Sequence, residues 1–228
     1  MKIFTPLFIS IFQSDNLNFY RSLTQNRMNI GVLALQGAFI EHIGILKKLG
    51  SAAEEIRLPE QLKDVDGLII PGGESTTIIK LLKEYQLFHP LKEMGGNGFP
   101  IWGTCAGMIC LAASVTNSQE VDMETLKLID IEARRNAFGR QVDSFEVDLD
   151  IPALGNAPFH AVFIRAPYID HAGPKVEVLS RLDNGTIVAA RQNNILVTSF
   201  HPELTDDHRF HEYFLDIAAA ASEIYSMR

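Results

Sequence analysis

The sequence predicts an α/β fold: a doubly wound, mostly parallel central sheet flanked by helices, with an added antiparallel portion. Three observations carry this expectation. Short continuous apolar runs alternate with segments of helical periodicity over the first half of the chain, the pattern of parallel strands buried on both faces. Beyond Ala113 the pattern changes to short strand-like runs split by Gly, Pro and Asn, which suits antiparallel pairing. A final segment, Asp206 to Tyr225, carries Phe210, Phe214, Ile217, Ala221 and Ile224 on one helical face.

Taken in order, residues 1–27 do not resemble the rest. Ile3 to Phe12 is apolar but broken by Thr5, Pro6 and Ser10, lacks a small-residue cleavage site, and is too short to span a bilayer. We read 1–27 as a non-conforming, dispensable extension and 28–228 as one domain. Ile30 to Leu35 is the first strand. Gln36-Gly37-Ala38 turns the chain into a helix with Phe39, Ile43, Leu46 and Leu49 on one side, stopped by Gly50. Ala52 to Leu58 and Gly67 to Ile70 follow as strands, then helical patterning from Thr77 to Tyr85 and around Leu91. Phe99 to Trp102 leads into a further strand and a helix from Ala106 to Ala113. The later strand-like runs are Thr125–Glu132, Gln141–Leu149, Ala161–Arg165, Val176–Ser180, Thr186–Arg191 and Ile195–Ser199.

The bulk composition narrows the function. The chain has 228 residues, 46% apolar and 21% charged, and a formal net charge of −8. That charge, without any Lys/Arg cluster, argues against a nucleic-acid or anionic-membrane surface. Two cysteines, Cys105 and Cys110, make neither a disulfide framework nor a C-x-x-C motif, so a reducing, cytoplasmic setting fits.

The chemistry concentrates in Gly103-Thr104-Cys105-Ala106-Gly107. An apolar strand ending in this pentapeptide, with a helix beginning at once, is the strand–turn–helix of a nucleophile elbow with Cys in place of Ser. Gly103 and Gly107 are expected to remove clashes around a strained residue, and a helix N-terminus favours a reactive thiolate. The Ala106 N–H is the first oxyanion donor expected. The bland alternative is a buried cysteine near a helix start. A sulfur nucleophile needs a base, and the base needs an orienting acid. His201 and Glu203, in Phe200-His201-Pro202-Glu203 after the last core strand, supply both at the sheet edge where α/β folds keep their sites. Pro71-Gly72-Gly73 offers a second oxyanion donor, Gly73, or else a plain turn into a helix capped by Ser75 or Thr76. His208 and His211, i,i+3 on the final helix, read as a solvated charged face rather than a metal site. His42, His89, His160 and His171 have no partners evident in the sequence. No metal and no cofactor is expected.

These residues resemble a family. Gly-Thr-Cys-Ala-Gly with a downstream His-Pro-Glu is similar to the class I, triad-type glutamine amidotransferases, whose fold is flavodoxin-like. Finer motifs point within that group: Gly31 to Ala38 with Glu41-His42, Pro71 to Thr77, Arg135 to Phe145, Phe163 to Pro167 and Ser199 to Thr205 resemble the glutaminase subunits of pyridoxal 5'-phosphate synthase. The likeness runs from about Met28 to the end. It implies hydrolysis of L-glutamine to L-glutamate and ammonia, with Cys105, His201 and Glu203 as catalytic triad and Gly73 and Ala106 as oxyanion hole. It further implies that Gly73, Glu74, Ser75, Arg135, Ile164 and Arg165 hold L-glutamine. The implied partner is a separate barrel-shaped synthase that receives the ammonia for vitamin B6 biosynthesis, and docking of that partner is implied to switch the Gly-Gly loop. Two other readings are a glutaminase serving a different synthase, such as one for histidine or purine, and a non-catalytic thiol sensor. The sensor has no use for His-x-Glu after the last core strand.

Overall fold

The computed structural model describes residues 28–116, 123–135 and 144–226. The expected 1–27 extension, the Asn136 to Asp143 part of one motif and the first residues of the run from Gln141 lie outside these, as does the side chain of Ile224.

Twelve strands and five α-helices are described. The strands are β1 (Asn29–Leu33), β2 (Ala52–Ile56), β3 (Gly67–Ile70), β4 (Ile101–Thr104), β5 (Ala112–Thr116), β6 (Ile129–Arg134), β7 (Ser144–Leu149), β8 (Phe159–Ile164), β9 (Tyr168–Ala172), β10 (Glu177–Arg181), β11 (Ile187–Gln192) and β12 (Ile195–Thr198). The helices are α1 (Phe39–Lys48), α2 (Ser75–Glu84), α3 (Phe88–Gly96), α4 (Ala106–Leu111) and α5 (Arg209–Ser226). One large sheet runs β2-β1-β3-β4-β12-β11-β9-β6-β5, with β10 on β11, while β7 and β8 form a separate hairpin sheet. From β2 to β12 every pairing is parallel. β11 then runs antiparallel to β12, and β9 antiparallel to both β11 and β6. The expected architecture, parallel half and antiparallel half, is the one observed.

The inner parallel strands β1, β3, β4 and β12 are apolar runs because both of their faces are covered, whereas the edge strand β2 carries Glu54 and Glu55. All residues of β3, β4 and β12 are buried. One core layer gathers Ile78, Leu82, Phe88 and Met108 from α2, α3 and α4 against one face. The other gathers Leu46 from α1 and Phe210, Phe214 and Ala218 from α5 against the opposite face, with Trp102 and Phe163. Each such large side chain taken fully out of water contributes roughly 1.5–3 kcal/mol.

Three local expectations are corrected. The helix after the elbow ends at Leu111 rather than Ala113, because the chain extends at Ala112 into β5 and pairs in parallel with β6. β9 is not among the expected strands: its Asp170 and His171 are exposed, which dilutes the apolar signal. On α1 the buried residues are His42, Ile45 and Leu46, so the inward stripe includes a histidine that hydropathy assigns to solvent.

Candidate active site

Strand register brings three loops together. Ile70 on β3 lies beside Gly103 on β4, and Thr104 lies beside Thr198 on β12. The segments leaving the carboxyl ends of these strands carry Gly72-Gly73, Cys105 and His201. In a parallel sheet the strand ends expose their loops on one rim, where α/β proteins bind ligands.

The elbow has the strain its sequence implied. Cys105 has φ 50° and ψ −107°, a conformation costly for a residue with a side chain. It is held by its N–H donating to Thr198 O at 2.8 Å, while α4 starts immediately after it. The glycines act differently from expectation. A Cβ on Gly103 would lie 2.6 Å from the Gly107 carbonyl, and one on Gly107 would lie 2.0 Å from the carbonyl oxygen of Ile70. They spare the turn a collision with itself and with β3, rather than with the Cys105 side chain.

His201 is anchored by its N–H donating to Val162 O at 2.8 Å on β8. Its Nδ1 lies 2.7 Å from Glu203 Oε1, and the ring and Cys105 line one cleft. Glu203 is reached by a 3₁₀ turn through Pro202 and is itself buried. Burial alone would lower the His201 pKa, but Cys105 and Glu203 beside it raise it to about 10. Burial alone would push the Glu203 carboxyl up, yet His42 and His201 beside it hold it below the usual carboxylate range. The imidazole is thus kept protonated at neutral pH against an ionised acid.

A cleft of about 490 Å³ opens over Cys105 and His201, within the usual range for small-molecule sites. Gly73, Glu74, Ser75, Ala106, Arg135, Ile164 and Arg165 line it, so every expected binding position faces one space. Gln36, Ile109 and Pro167 line it too. Gln36 belongs to the Gly31 to Ala38 motif, and its place in the cleft is shown by its side-chain oxygen accepting from the Glu74 N–H at 3.2 Å. Arg135 Nη2 lies 2.9 Å from Glu74 Oε1, setting a cation and an anion side by side in the cleft. Glu74, not Ser75 or Thr76, caps α2, accepting from the Thr77 N–H. Its carboxyl is at about 2: burial would raise it, but hydrogen bonds from Thr76 and Thr77 outweigh that. The Ser75 hydroxyl is buried with no hydrogen-bond partner among the described residues. Cys110 is fully buried, and burial pushes its thiol far up, which makes it inert.

The histidines outside the cleft bring the largest correction. His211, expected on a solvated face, is fully buried, with its Nε2 2.9 Å from Nδ1 of the equally buried His42. His42 Nε2 in turn lies 3.4 Å from Glu203 Oε2. Among the described residues no cluster of His, Cys, Asp and Glu could hold a metal, and no helix is long and apolar enough to cross a membrane.

Comparison with known proteins points the same way as the geometry. Residues 32–219 match the model of the SNO glutamine amidotransferase family. A protein of Herpetosiphon aurantiacus named pyridoxal 5'-phosphate synthase subunit PdxT is 61% identical over 190 residues, 83% of this chain and 100% of that one. Its counterpart of the same name in Dehalococcoides mccartyi is 58% identical over 191 residues, 84% of this chain and 97% of that one. A solved structure titled as a glutamine amidotransferase superposes with a TM-score of 0.77 at 48% identity, covering 83% of this chain and 98% of that one.

Proposed function

The chain belongs to the SNO glutamine amidotransferase family, and from that premise we propose that Cys105, His201 and Glu203 are the triad with which it hydrolyses glutamine. It is a glutaminase subunit of pyridoxal 5'-phosphate synthase and supplies that enzyme's ammonia. The observation that carries the triad is a cysteine on a strained elbow, sharing a cleft with an imidazole whose Nδ1 is held 2.7 Å from a buried carboxylate.

The steps follow from that arrangement. Cys105 Sγ attacks the side-chain amide carbon of L-glutamine, and the carbonyl oxygen takes the negative charge facing the N–H groups of Gly73 and Ala106. His201, protonated in the resting site, gives its proton to the departing nitrogen, which leaves as ammonia. The γ-glutamyl thioester remains on Cys105. His201, now neutral, takes a proton from water, whose oxygen attacks the thioester carbon. The C–S bond breaks, the sulfur recovers its starting state, and L-glutamate leaves. Glu203 keeps the imidazole in the required tautomer throughout. At the other end of the cleft, the adjacent Arg135 and Glu74 suit the α-carboxylate and α-ammonium of an amino acid, with Ser75, Ile164 and Arg165 completing the enclosure.

The ammonia passes to a separate barrel-shaped synthase subunit, with which this chain forms a hetero-oligomer. Residues 28–228 carry the activity. The relative from Herpetosiphon aurantiacus is matched over its full length by 190 residues, which supports treating 1–27 as dispensable. Both cysteines are unpaired thiols, which fits a reducing compartment such as the cytoplasm.

The test is co-purification with a candidate synthase followed by an assay of pyridoxal 5'-phosphate formation. Glutamine should support product with the wild type and with a chain lacking residues 1–27. Cys105→Ala should abolish the glutamine-dependent rate and leave the rate with added ammonia intact. Glutamine-dependent product from Cys105→Ala would overturn the triad.

A further inference from the structure

The proposed triad uses one oxygen of Glu203. The other, Oε2, is buried and has no hydrogen-bond partner among the described residues. His42 Nε2 lies 3.4 Å away, longer than an ideal hydrogen bond, and neither atom has another partner among the described residues. A buried carboxylate oxygen without a donor is costly, and so is a buried imidazole N–H without an acceptor. Each therefore satisfies the other.

The proton positions follow from the same accounting. A neutral imidazole carries one N–H. If His42 bore it on Nδ1, its Nε2 lone pair would face the Glu203 carboxylate, and His211 would be left with a buried Nδ1–H aimed at nothing. If His42 bears it on Nε2, that N–H donates to Glu203. His42 Nδ1 then accepts from His211 Nε2–H at 2.9 Å. The sole orphan in this arrangement is a lone pair on His211 Nδ1. The second arrangement is far cheaper, and it is directional: His211 donates to His42, His42 to Glu203, and His201 to the other oxygen of Glu203. Both remote imidazoles are buried and held below the usual histidine range, first by burial, so they stay neutral at the pH of catalysis. The Trp102 ring stands edge-on to both, 5.7 Å from His42 and 5.0 Å from His211.

We propose that His42, itself oriented by His211, is a positioning residue of the reaction: it donates to Glu203 Oε2, and so holds the carboxylate ionised and aimed at His201. The charged and titratable groups facing His42 are Glu203 and His201 beyond β12, Glu41 on its own helix, and His211 on α5, with His208 behind it. This rests on the triad reading above.

Three variants test it, with two readouts. His42→Leu removes the donor at similar volume. His42→Gln places an amide N–H near the position of Nε2 and keeps it. His42→Asn, whose amide is too short to reach the carboxylate, replaces the Leu variant should that fail to fold. The first readout is glutamine hydrolysis with saturating synthase. His42→Leu should lower kcat about tenfold with KM for glutamine unchanged, since one hydrogen bond to a charged group is lost in a site that does not touch substrate. The second needs no substrate: the rate of iodoacetamide modification of Cys105 against pH. That profile should move about one unit to higher pH in His42→Leu, as the imidazolium loses its steered acid, and Cys110, fully buried, contributes no background. His42→Gln should return both readouts towards wild type. Unshifted profiles in folded His42→Leu, or a Gln variant no better than Leu, would overturn the proposal. A wild type that hydrolyses no glutamine would instead overturn the triad reading, and the modification profiles would still decide the role of His42.

Discussion

Gly72→Ala is the sharpest single perturbation of the site. A Cβ built on Gly72 lies 2.5 Å from His201 Cε1, 3.2 Å from its Nδ1 and 3.3 Å from Cys105 Cβ. Ordinary carbon–carbon contact is about 3.5–4.0 Å, so the ring must retreat by roughly 1 Å. It cannot do so freely: Nδ1 is tied to Glu203 at 2.7 Å, and the backbone of residue 201 is tied to Val162 at 2.8 Å. A misplacement of about 1 Å in a catalytic group is worth on the order of 100-fold in rate, or about 2.7 kcal/mol on the barrier. The backbone itself accepts alanine, because Gly72 is not among the residues with positive φ. Activity and stability should therefore separate. Ammonia release with excess synthase should fall about 100-fold while the thermal midpoint stays within a few degrees. A Gly72→Ala enzyme within threefold of wild type would refute the reasoning, for it would show that the imidazole has room the structure denies it.

Other outcomes follow from buried groups and glycines. His42 and His211 have folded pKa values below the ordinary 6.5, chiefly from burial, so the unfolded chain binds their protons first and stability is lost as pH falls below 6.5. Two such groups make the unfolding free energy drop by up to about 2.7 kcal/mol per pH unit, which urea unfolding at pH 7, 6 and 5 would measure. Glu203, also lowered, adds to the loss only below its unfolded value of 4.5, and a flat profile from pH 7 to 5 would contradict the buried pair. Gly107→Ala would bring a Cβ to 2.0 Å from the Ile70 carbonyl oxygen, a backbone atom that cannot swing aside. A loss of about 3 kcal/mol or more, or no soluble protein, is expected. Gly44, exposed in the middle of α1 with nothing within 4 Å of its missing Cβ, should give a gain of about 0.5–1 kcal/mol on replacement by alanine, read as a raised urea midpoint.

Much of this site was legible in the chain because its signals are local. The elbow is a strand, a pentapeptide and a helix in one stretch, and steric demands at Gly103 and Gly107 leave a mark no packing argument needs to supply. His201 and Glu203 are two residues apart, and the proline between them stiffens a short turn. Buried parallel strands announce themselves by apolar runs, since both faces are dry. β9 and the early end of α4 escaped because a half-exposed antiparallel strand alternates too weakly to stand out, and because Ala112 suits helix and strand alike.

The sequence by itself determined the sheet class, the strained cysteine, the imidazole and the acid behind it, all written in spacing and residue size. Only the tertiary structure decided that His42 and His211, far apart in the chain and polar by any hydropathy measure, meet in the dark behind Glu203. It alone also turned Glu74 into the cap of α2 and the neighbour of Arg135. The physical reason is the same in each case. Periodicity reports which face of an element is dry, whereas the partner that satisfies a polar group on that face is delivered by a different element, and no local pattern encodes their meeting.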